Sequence, residues 1–465
     1  MFDLVVIGGG VAGSTAAIKA AALGKRVAVV ERTGRFGGTC RYVGCTPSKT
    51  LLHVAEVVQT MRVHAGELGL PTAAPAIAWE PIRARLQAVI RAVGGDDGEG
   101  APGAFLDHAG TVVVGEARFM GPHHLRVGSE IIESERFIIA TGARPRIPAI
   151  PGLTEVGYLT WESIFTLPAL PTTLAVLGGG PLGIELAQAF QRLGSVVMVF
   201  EEKPDILSQA DPAAVAVLRP TLEAEGIQFR CGTTITSVER TGDEIVLTHD
   251  GDTTQVSHLL VAGGTRPNTD FLALDQAGVE LDDDGAIIVD DELRTTNRHI
   301  WAAGDVTGRR QFAHVAAYEA EIAVANALEN AHRPNDQRVV PWAVYTGPTL
   351  AHVGLSEAEA RKQELPIVVA TLPLAEAAER ALLVAAPPGL LKAVAHRDSG
   401  VLLGMTIVAP AADTMIHEAA LAVQCKLTVK QIAETIHANP TWSQAVQAVS
   451  QQLAEQMGQS TDEHR

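Results

Sequence analysis

Cysteine is scarce here, with four among 465 residues. That excludes a disulfide-stapled secreted fold and points to a reducing compartment, where a functional cysteine pair would be catalytic and not structural. Basic residues are outnumbered as well: 36 Lys and Arg stand against 53 Asp and Glu, a formal net charge of −17. Such a chain repels phosphate backbones and anionic membranes unless a basic patch is concentrated somewhere, and none is visible; neither nucleic acid nor a membrane is an expected partner. No uninterrupted apolar run is long enough to cross a bilayer. The chain opens Met1-Phe2-Asp3 and enters an apolar run without the basic start and cleavage site of a signal peptide, so the expectation is a cytoplasmic protein. The length exceeds what one hydrophobic core spans, and two to four domains are expected.

What is present is a repeated pattern. Leu4-Val5-Val6-Ile7 reads as a buried parallel strand leading into Gly8-Gly9-Gly10-Val11-Ala12-Gly13, followed by an Ala-rich helix over 14–23 and a second strand ending in Glu31. The same order recurs as Leu174-Ala175-Val176-Leu177, Gly178-Gly179-Gly180-Pro181-Leu182-Gly183, a helix over 184–193 and a strand ending in Glu201. Gly8 and Gly178 are 170 positions apart, as are Glu31 and Glu201, and each acid follows the last glycine of its turn by 18 residues. A lone glycine turn is weak evidence, but strand, turn, helix, strand and acid, twice at one spacing, argue for two dinucleotide sites. Gly8 and Gly178 would make the tight turn, Gly10 and Gly180 admit a pyrophosphate, and Gly13 and Gly183 let the helix pack closely. Each helix N-terminus then faces the phosphates, and Glu31 and Glu201 can accept hydrogen bonds from ribose hydroxyls. Gly94 to Gly100 reads as an exposed loop, and 458–465 as a frayed polar end. Ile300 to Ala303 reads as a short strand closed by Gly304-Asp305, and after about Pro341 a separate C-terminal domain is expected.

Two of the four cysteines lie in Gly37-Gly38-Thr39-Cys40-Arg41-Tyr42-Val43-Gly44-Cys45-Thr46-Pro47-Ser48-Lys49. Cys40 and Cys45 have a spacing that zinc permits, but no second knuckle accompanies them, while Cys231 and Cys425 stand alone and are expected as buried small hydrophobes. A redox reading explains more of the stretch. Thr46-Pro47 resembles an N-cap and first helical residue, so a helix is expected just after Cys45; its positive end, with Lys49 one turn on, favours a thiolate. The glycines keep the segment open to a flat cofactor such as a flavin.

These residues closely resemble the FAD-dependent pyridine nucleotide-disulfide oxidoreductases, in the branch of lipoamide dehydrogenase and mercuric reductase. The active-site signature of that family is met by Gly37, Gly38, Thr39, Cys40, Gly44, Cys45, Pro47, Ser48 and Lys49, and Ala140-Thr141-Gly142-Ala143-Arg144-Pro145 and Trp301-Ala302-Ala303-Gly304-Asp305 match two further motifs. The resemblance implies an α/β fold with two Rossmann-like dinucleotide-binding domains, for FAD and NAD, plus a C-terminal α+β dimerisation domain. The expected boundaries are 1–148 and 269–338 for the two parts of the FAD-binding and central region, 149–268 for the NAD(P)-binding domain and 339–465 for the dimerisation domain of a homodimer. Electrons would pass from NADH through FAD to the Cys40–Cys45 disulfide and on to an external acceptor. By family position Cys45 faces the flavin and Cys40 meets substrate, Lys49 pairs with Glu185 beside flavin and nicotinamide, and Asp305 holds the ribityl chain. Gly38, Thr39, Thr141, Gly142 and Gly304 belong to the FAD site. Glu201 favours NADH over NADPH because an acid repels the extra phosphate, with Lys203 close by in sequence as the countervailing charge.

The chain departs from the family in one place. Disulfide reductases carry H-P-T-x-x-E near the C-terminus, where the histidine is the acid/base for the thiols and the glutamate orients it; here Asn439 and Gln444 occupy those positions. Amides hydrogen-bond but take no proton at neutral pH, and general acid/base catalysis is worth about 10²–10⁴-fold, so dithiol exchange should be slowed. Mercuric reductase is the family precedent for lacking the base, although this chain lacks the C-terminal cysteine pair of that enzyme. His437 is expected to be a solvated histidine and not a replacement base, and His123-His124 offer no ligand spacing. Three readings compete: a dihydrolipoyl dehydrogenase-like enzyme weakened or redirected at thiol exchange; a metal-ion or quinone reductase, with the cysteines as soft-metal thiolates; and a flavoprotein kept as a binding or regulatory partner, which intact Cys40, Cys45, Lys49 and Glu185 oppose. The acceptor is a small molecule in each enzymatic case, and no resident metal is expected.

Overall fold

The structure is a computed structural model that describes residues 1–72, 75–93 and 103–462. The loop expected at 94–100 and the last three residues lie outside it.

The first glycine motif sits in a five-stranded parallel sheet. β1 (Leu4–Ile7) lies at its centre, fully buried because all four residues are apolar, with β2 (Val27–Glu31) and β3 (Thr111–Val114) on one side and β4 (Phe137–Ile139) on the other. Leu4 pairs with Val27 and Val5 with Phe137, and every ladder runs parallel. α1 (Val11–Ala22) connects β1 to β2; its buried stripe of Ala16, Ala17, Ala20 and Ala21 has no side chain long enough to hold it off the sheet. The second motif repeats the design in a four-stranded parallel sheet. There β5 (Thr173–Leu177) is flanked by β6 (Val196–Glu201), with β7 (Gln228–Cys231) beyond, and by β8 (His258–Val261), while α4 (Pro181–Leu193) makes the crossover. In both sheets the strand order reverses beside the glycine strand, the place where open α/β sheets bind ligands.

Both crossover helices begin three residues earlier than the sequence suggested, at Val11 and Pro181, so that the third glycine of each motif lies inside its helix. The cause is close packing: a Cβ on Gly13 would sit 1.8 Å from the Gly8 carbonyl oxygen, and one on Gly183 2.1 Å from that of Gly178. The turn and the first helical turn therefore form one compact unit.

β9 (Ile300–Ala302) completes the first sheet beside β4, and α5 (Ala313–Glu329) packs against α1. The C-terminal part is a five-stranded antiparallel sheet in the order β10 (Trp342–Val344), β11 (Thr349–Gly354), β14 (Leu402–Ala409), β13 (Leu390–His396) and β12 (Ile367–Pro373). α6 (Ala412–Gln424) and α7 (Gln444–Asp462) pack on it through Met415, Ile416, Val446, Val449 and Leu453. Helix α7 runs through Asp462, into the end expected to fray. A buried ion trio ties this sheet to the second parallel one: Lys392 Nζ lies 2.8 Å from both Asp211 and Glu357.

Candidate active site

The cysteine stretch folds as two short helices that meet at Gly44. α2 (Gly38–Tyr42) carries Cys40, and α3 (Cys45–Gln59) opens on Cys45 itself, with Gly44 as its N-cap. The expected start, with Thr46 as cap and Pro47 as first helical residue, is two residues late. Cys45 thus stands at the first helical position, where unpaired N–H groups and the helix dipole favour a thiolate.

The two cysteines are free thiols that share one proton unequally. The Cys40 thiol donates a hydrogen bond to Cys45, and this contact with the charge of Lys49 lowers Cys45 to about 7 against the resistance of burial. The same contact, with burial, holds the proton on Cys40 far more tightly than on an ordinary thiol. Cys45 is the thiolate of the pair and Cys40 its proton donor.

Lys49 lies one turn after Cys45 and reaches across to α4. Its Nζ is 2.7 Å from Glu185 Oε2, with the Tyr345 ring 4.6 Å away. Glu185 is 3% exposed, and its other oxygen accepts the Tyr345 backbone N–H at 2.9 Å. Two further residues of α4 extend this grip on the following segment, and nothing in the sequence motifs had marked them. Gln188 both donates to the Gly347 carbonyl at 2.9 Å and accepts its N–H at 2.8 Å, while Arg192 donates to the same carbonyl at 3.1 Å. Arg192 also pairs with Glu225 at 2.7 Å and with Glu56 of α3. Lys49–Glu185 and Glu56–Arg192 are two ion pairs of opposite polarity, seven residues apart on each helix. The one signal available beforehand was that Glu185, Gln188 and Arg192 share a helical face.

A cavity of ≈ 460 Å³ opens beside the cysteines and runs along the first glycine motif; Gly8, Gly10, Glu31, Gly38, Thr39, Cys40, Cys45, Thr141, Gly142, Gly304 and Asp305 all line it. Thr141 and Asn268 lock its far wall through paired contacts of 2.8 and 3.0 Å. Burial raises the Asp305 carboxyl. Glu31 sits at the rim with Oε2 accepting the Gly9 N–H at 2.8 Å and Oε1 accepting from Thr33. The residues fit a bound FAD: a Cβ on Gly38 would come 2.8 Å from the Gly10 Cα, so the two glycine segments form a cradle of bare backbone, with the N-terminus of α1 aimed into it.

The second motif repeats this geometry. Glu201 Oε2 accepts the Gly179 N–H at 2.6 Å and Oε1 the Lys203 N–H at 2.9 Å. Lys203 Nζ is engaged by Ser208 at 2.9 Å. Each acid therefore braces the middle of its glycine turn, a role that spacing alone did not disclose.

Within the chain, Asn439 and Gln444 are not joined to this constellation. Asn439 is exposed, and the Gln444 side-chain oxygen accepts the Thr441 N–H at 3.1 Å. His437, expected to be solvated, is instead buried, its side chain 6% exposed; Nε2 lies 2.7 Å from Glu418 and Nδ1 2.8 Å from the Thr435 carbonyl. Both ring nitrogens are committed to oxygen acceptors, which leaves none to serve a substrate. The two remaining cysteines are less buried than expected: Cys231 is half-buried at the end of β7, and Cys425 is exposed just after α6.

Residues 2–320 match the family model described as pyridine nucleotide-disulphide oxidoreductase, and residues 340–449 match the dimerisation domain of that family. The mercuric reductase of Bacillus cereus is 36% identical over 439 residues, covering 94% of this chain and 69% of that protein. The dihydrolipoyl dehydrogenase of Thermus scotoductus is 36% identical over 465 residues, covering 98% of each chain. Among solved structures, the HOCl-induced flavoprotein disulfide reductase RclA of Escherichia coli superimposes with a TM-score of 0.86 at 29% identity, covering 97% of this chain and 99% of that one. A Cu(II) complex of that protein matches with a TM-score of 0.85. LpdA of Mycobacterium tuberculosis gives a TM-score of 0.87 at 30% identity, covering 97% of this chain and 99% of that one.

Proposed function

The chain belongs to the pyridine nucleotide-disulphide oxidoreductase family, and from that premise we propose an FAD enzyme that takes electrons from NADH and passes them through Cys40 and Cys45 to a small-molecule acceptor other than a dithiol-disulfide substrate. The observation that carries this reading is the pairing of a poised cysteine couple, Cys45 lowered to about 7 by Cys40 and Lys49, with an amide at position 439. The relay is equipped, whereas the proton donor for dithiol exchange is missing.

FAD, when bound, supplies a two-electron carrier between nicotinamide and disulfide. Gly8, Gly10, Gly38, Thr39, Thr141, Gly142, Gly304 and Asp305 would hold it, with Gly13 letting α1 pack onto the Gly8 turn and Glu31 available to the adenosine ribose. Gly178, Gly180 and Glu201 would hold the nicotinamide dinucleotide, with Gly183 letting α4 pack onto its turn. The carboxylate of Glu201 disfavours a 2′-phosphate, and the one nearby cation in sequence, Lys203, is turned onto Ser208, so NADH is the expected donor over NADPH. Lys49 and Glu185 neutralise one another beside the sulfurs and keep that end of the site ordered. Cys45 would carry the thiolate charge on the flavin side, and Cys40 would be the sulfur that meets the acceptor, giving its proton to solvent as it does so. The protein acts as a homodimer through its dimerisation domain.

A soft metal ion suits this chemistry best, because the two sulfurs can bind one, with Cys40 releasing its proton to solvent on binding, and no proton from histidine is needed. Relatives named mercuric reductase and the copper complex of RclA support this acceptor class. The test is steady-state turnover of the purified holoprotein with NADH or NADPH against lipoamide, Hg(II), Cu(II) and a quinone. Metal-ion or quinone turnover well above lipoamide turnover is expected. Lipoamide turnover equal to that of a histidine-bearing dihydrolipoyl dehydrogenase would sink the proposal.

A further inference from the structure

We propose that Glu319 is a positioning residue for FAD: its carboxylate fixes the Gly304–Asp305 turn from behind and sets a buried negative charge at the back of the cavity. Glu319 lies on α5 and is 1% exposed. Its two oxygens receive three N–H donors. Oε2 accepts the Gly304 backbone N–H at 2.7 Å, and Oε1 accepts Asn335 Nδ2 at 3.0 Å and Gln337 Nε2 at 2.6 Å.

None of the three donors is charged. Burial raises the Glu319 carboxyl on balance, while the Gly304 and Asn335 contacts, the charge of Arg309 and the Gln337 contact pull it back. The ionised form suits the site, because a protonated acid would bring a further hydrogen into a pocket of donors. A glutamine would fit worse still, since it has one acceptor oxygen and two N–H groups of its own facing donors.

Geometry carries the effect to the cofactor. Ala316 and Ala313 precede Glu319 by about one and two turns on α5 and line the cavity, whereas Glu319 does not. Gly304 does line it, with φ +80, and a Cβ there would meet Ala316 at 3.2 Å and Ala12 at 3.3 Å. Gly304 is therefore pressed between α1 and α5 and held at its N–H by Glu319, and this fixes where the next residue, Asp305, stands. The segment carrying Asn335 and Gln337 closes the arrangement from the opposite side. Glu319 acts through Gly304 without touching FAD, and its charge opposes the addition of electrons to a flavin in front of it.

The experiment compares the wild-type holoprotein with Glu319→Gln and Glu319→Asp, reading the rate of FAD release on dilution from recovered flavin fluorescence and the flavin midpoint potential by dye equilibration. Glu319→Gln removes the charge; Glu319→Asp keeps it but falls a methylene short of Gly304. Loss of one buried contact of this kind should speed release about tenfold or more in both variants. The potential should rise in Glu319→Gln and stay near wild type in Glu319→Asp. Wild-type release and potential in folded Glu319→Gln would overturn the proposal. Should that variant not fold, Gln337→Leu decides: it removes one donor from the half-buried rim and should also speed release, and an unchanged rate overturns the idea.

Discussion

Glu185 holds Lys49 on one carboxylate oxygen at 2.7 Å and the Tyr345 backbone N–H on the other at 2.9 Å. One buried side chain of α4 thus joins the helix of the redox cysteines to the segment that follows the first strand of the C-terminal sheet. Because its two oxygens face different partners, a change at any of the three residues should be felt at the sulfurs.

Cys40→Ala should raise the Cys45 titration from about 7 toward the ordinary thiol value of 9.0, because the leading cause of the depression is the hydrogen bond from Cys40. The sign follows from the charge: a donor stabilises thiolate, so its loss requires a higher pH for the same ionised fraction. The pH dependence of iodoacetamide alkylation of the reduced protein measures it. An unmoved midpoint would contradict the sharing of the proton.

Lys49→Met should move the same titration upward by a smaller step, since the charge of Lys49 is a lesser cause than the Cys40 contact. Glu185→Gln should move it down, as the carboxylate opposes the thiolate. Opposite signs from two partners of one ion pair are a demanding check.

Asn439→His with Gln444→Glu should raise lipoamide-dependent turnover by at least about tenfold within the 10²–10⁴ range of general acid/base catalysis. NADH-ferricyanide turnover, which needs no proton from that position, should hardly change. Parallel kinetics of both reactions separate the two.

Glu201→Ala should raise the KM for NADH about tenfold or more, by the loss of a ribose contact and of the brace on Gly179. NADPH should gain little from the change, because a turn that has lost its brace serves neither nucleotide. A full switch to NADPH would show that Glu201 acts by charge repulsion alone.

Arg192→Met should destabilise the fold by about 3–5 kcal/mol, the usual cost of leaving a buried partner charge unpaired. Arg192 and Glu225 are 5% and 8% exposed as side chains. Thermal unfolding of the holoprotein reads the loss, and Arg192→Met with Glu225→Leu should recover part of it.

Both glycine turns and the acids that follow them were legible because a βαβ unit is local: strand, turn and helix are contiguous, and the close contact of Gly13 with Gly8 needs no distant residue. The cysteine pair was legible for the same reason, although the helix start was misplaced by two residues because Thr46-Pro47 imitates a cap two positions further on. Gln188, Arg192 and Glu319 were not legible. Their partners are 15 to 159 positions away, and several are backbone groups whose orientation only packing supplies, as with Gly347 and Gly304. His437 was misread as solvated for a similar reason, since its carboxylate partner Glu418 comes from a different helix.

From local pattern alone, then, the sequence determined two nucleotide-type turns, a cysteine couple at a helix start and the absence of an ionisable residue at 439. The tertiary structure decided that Gln188 and Arg192 grip the Gly347 backbone and that Glu319 holds the Gly304 N–H. It also decided how the Lys49–Glu185 pair is held, and that His437 is already spent on Glu418. These outcomes depend on distances between side chains far apart in the chain, and such distances exist only once the sheets have packed.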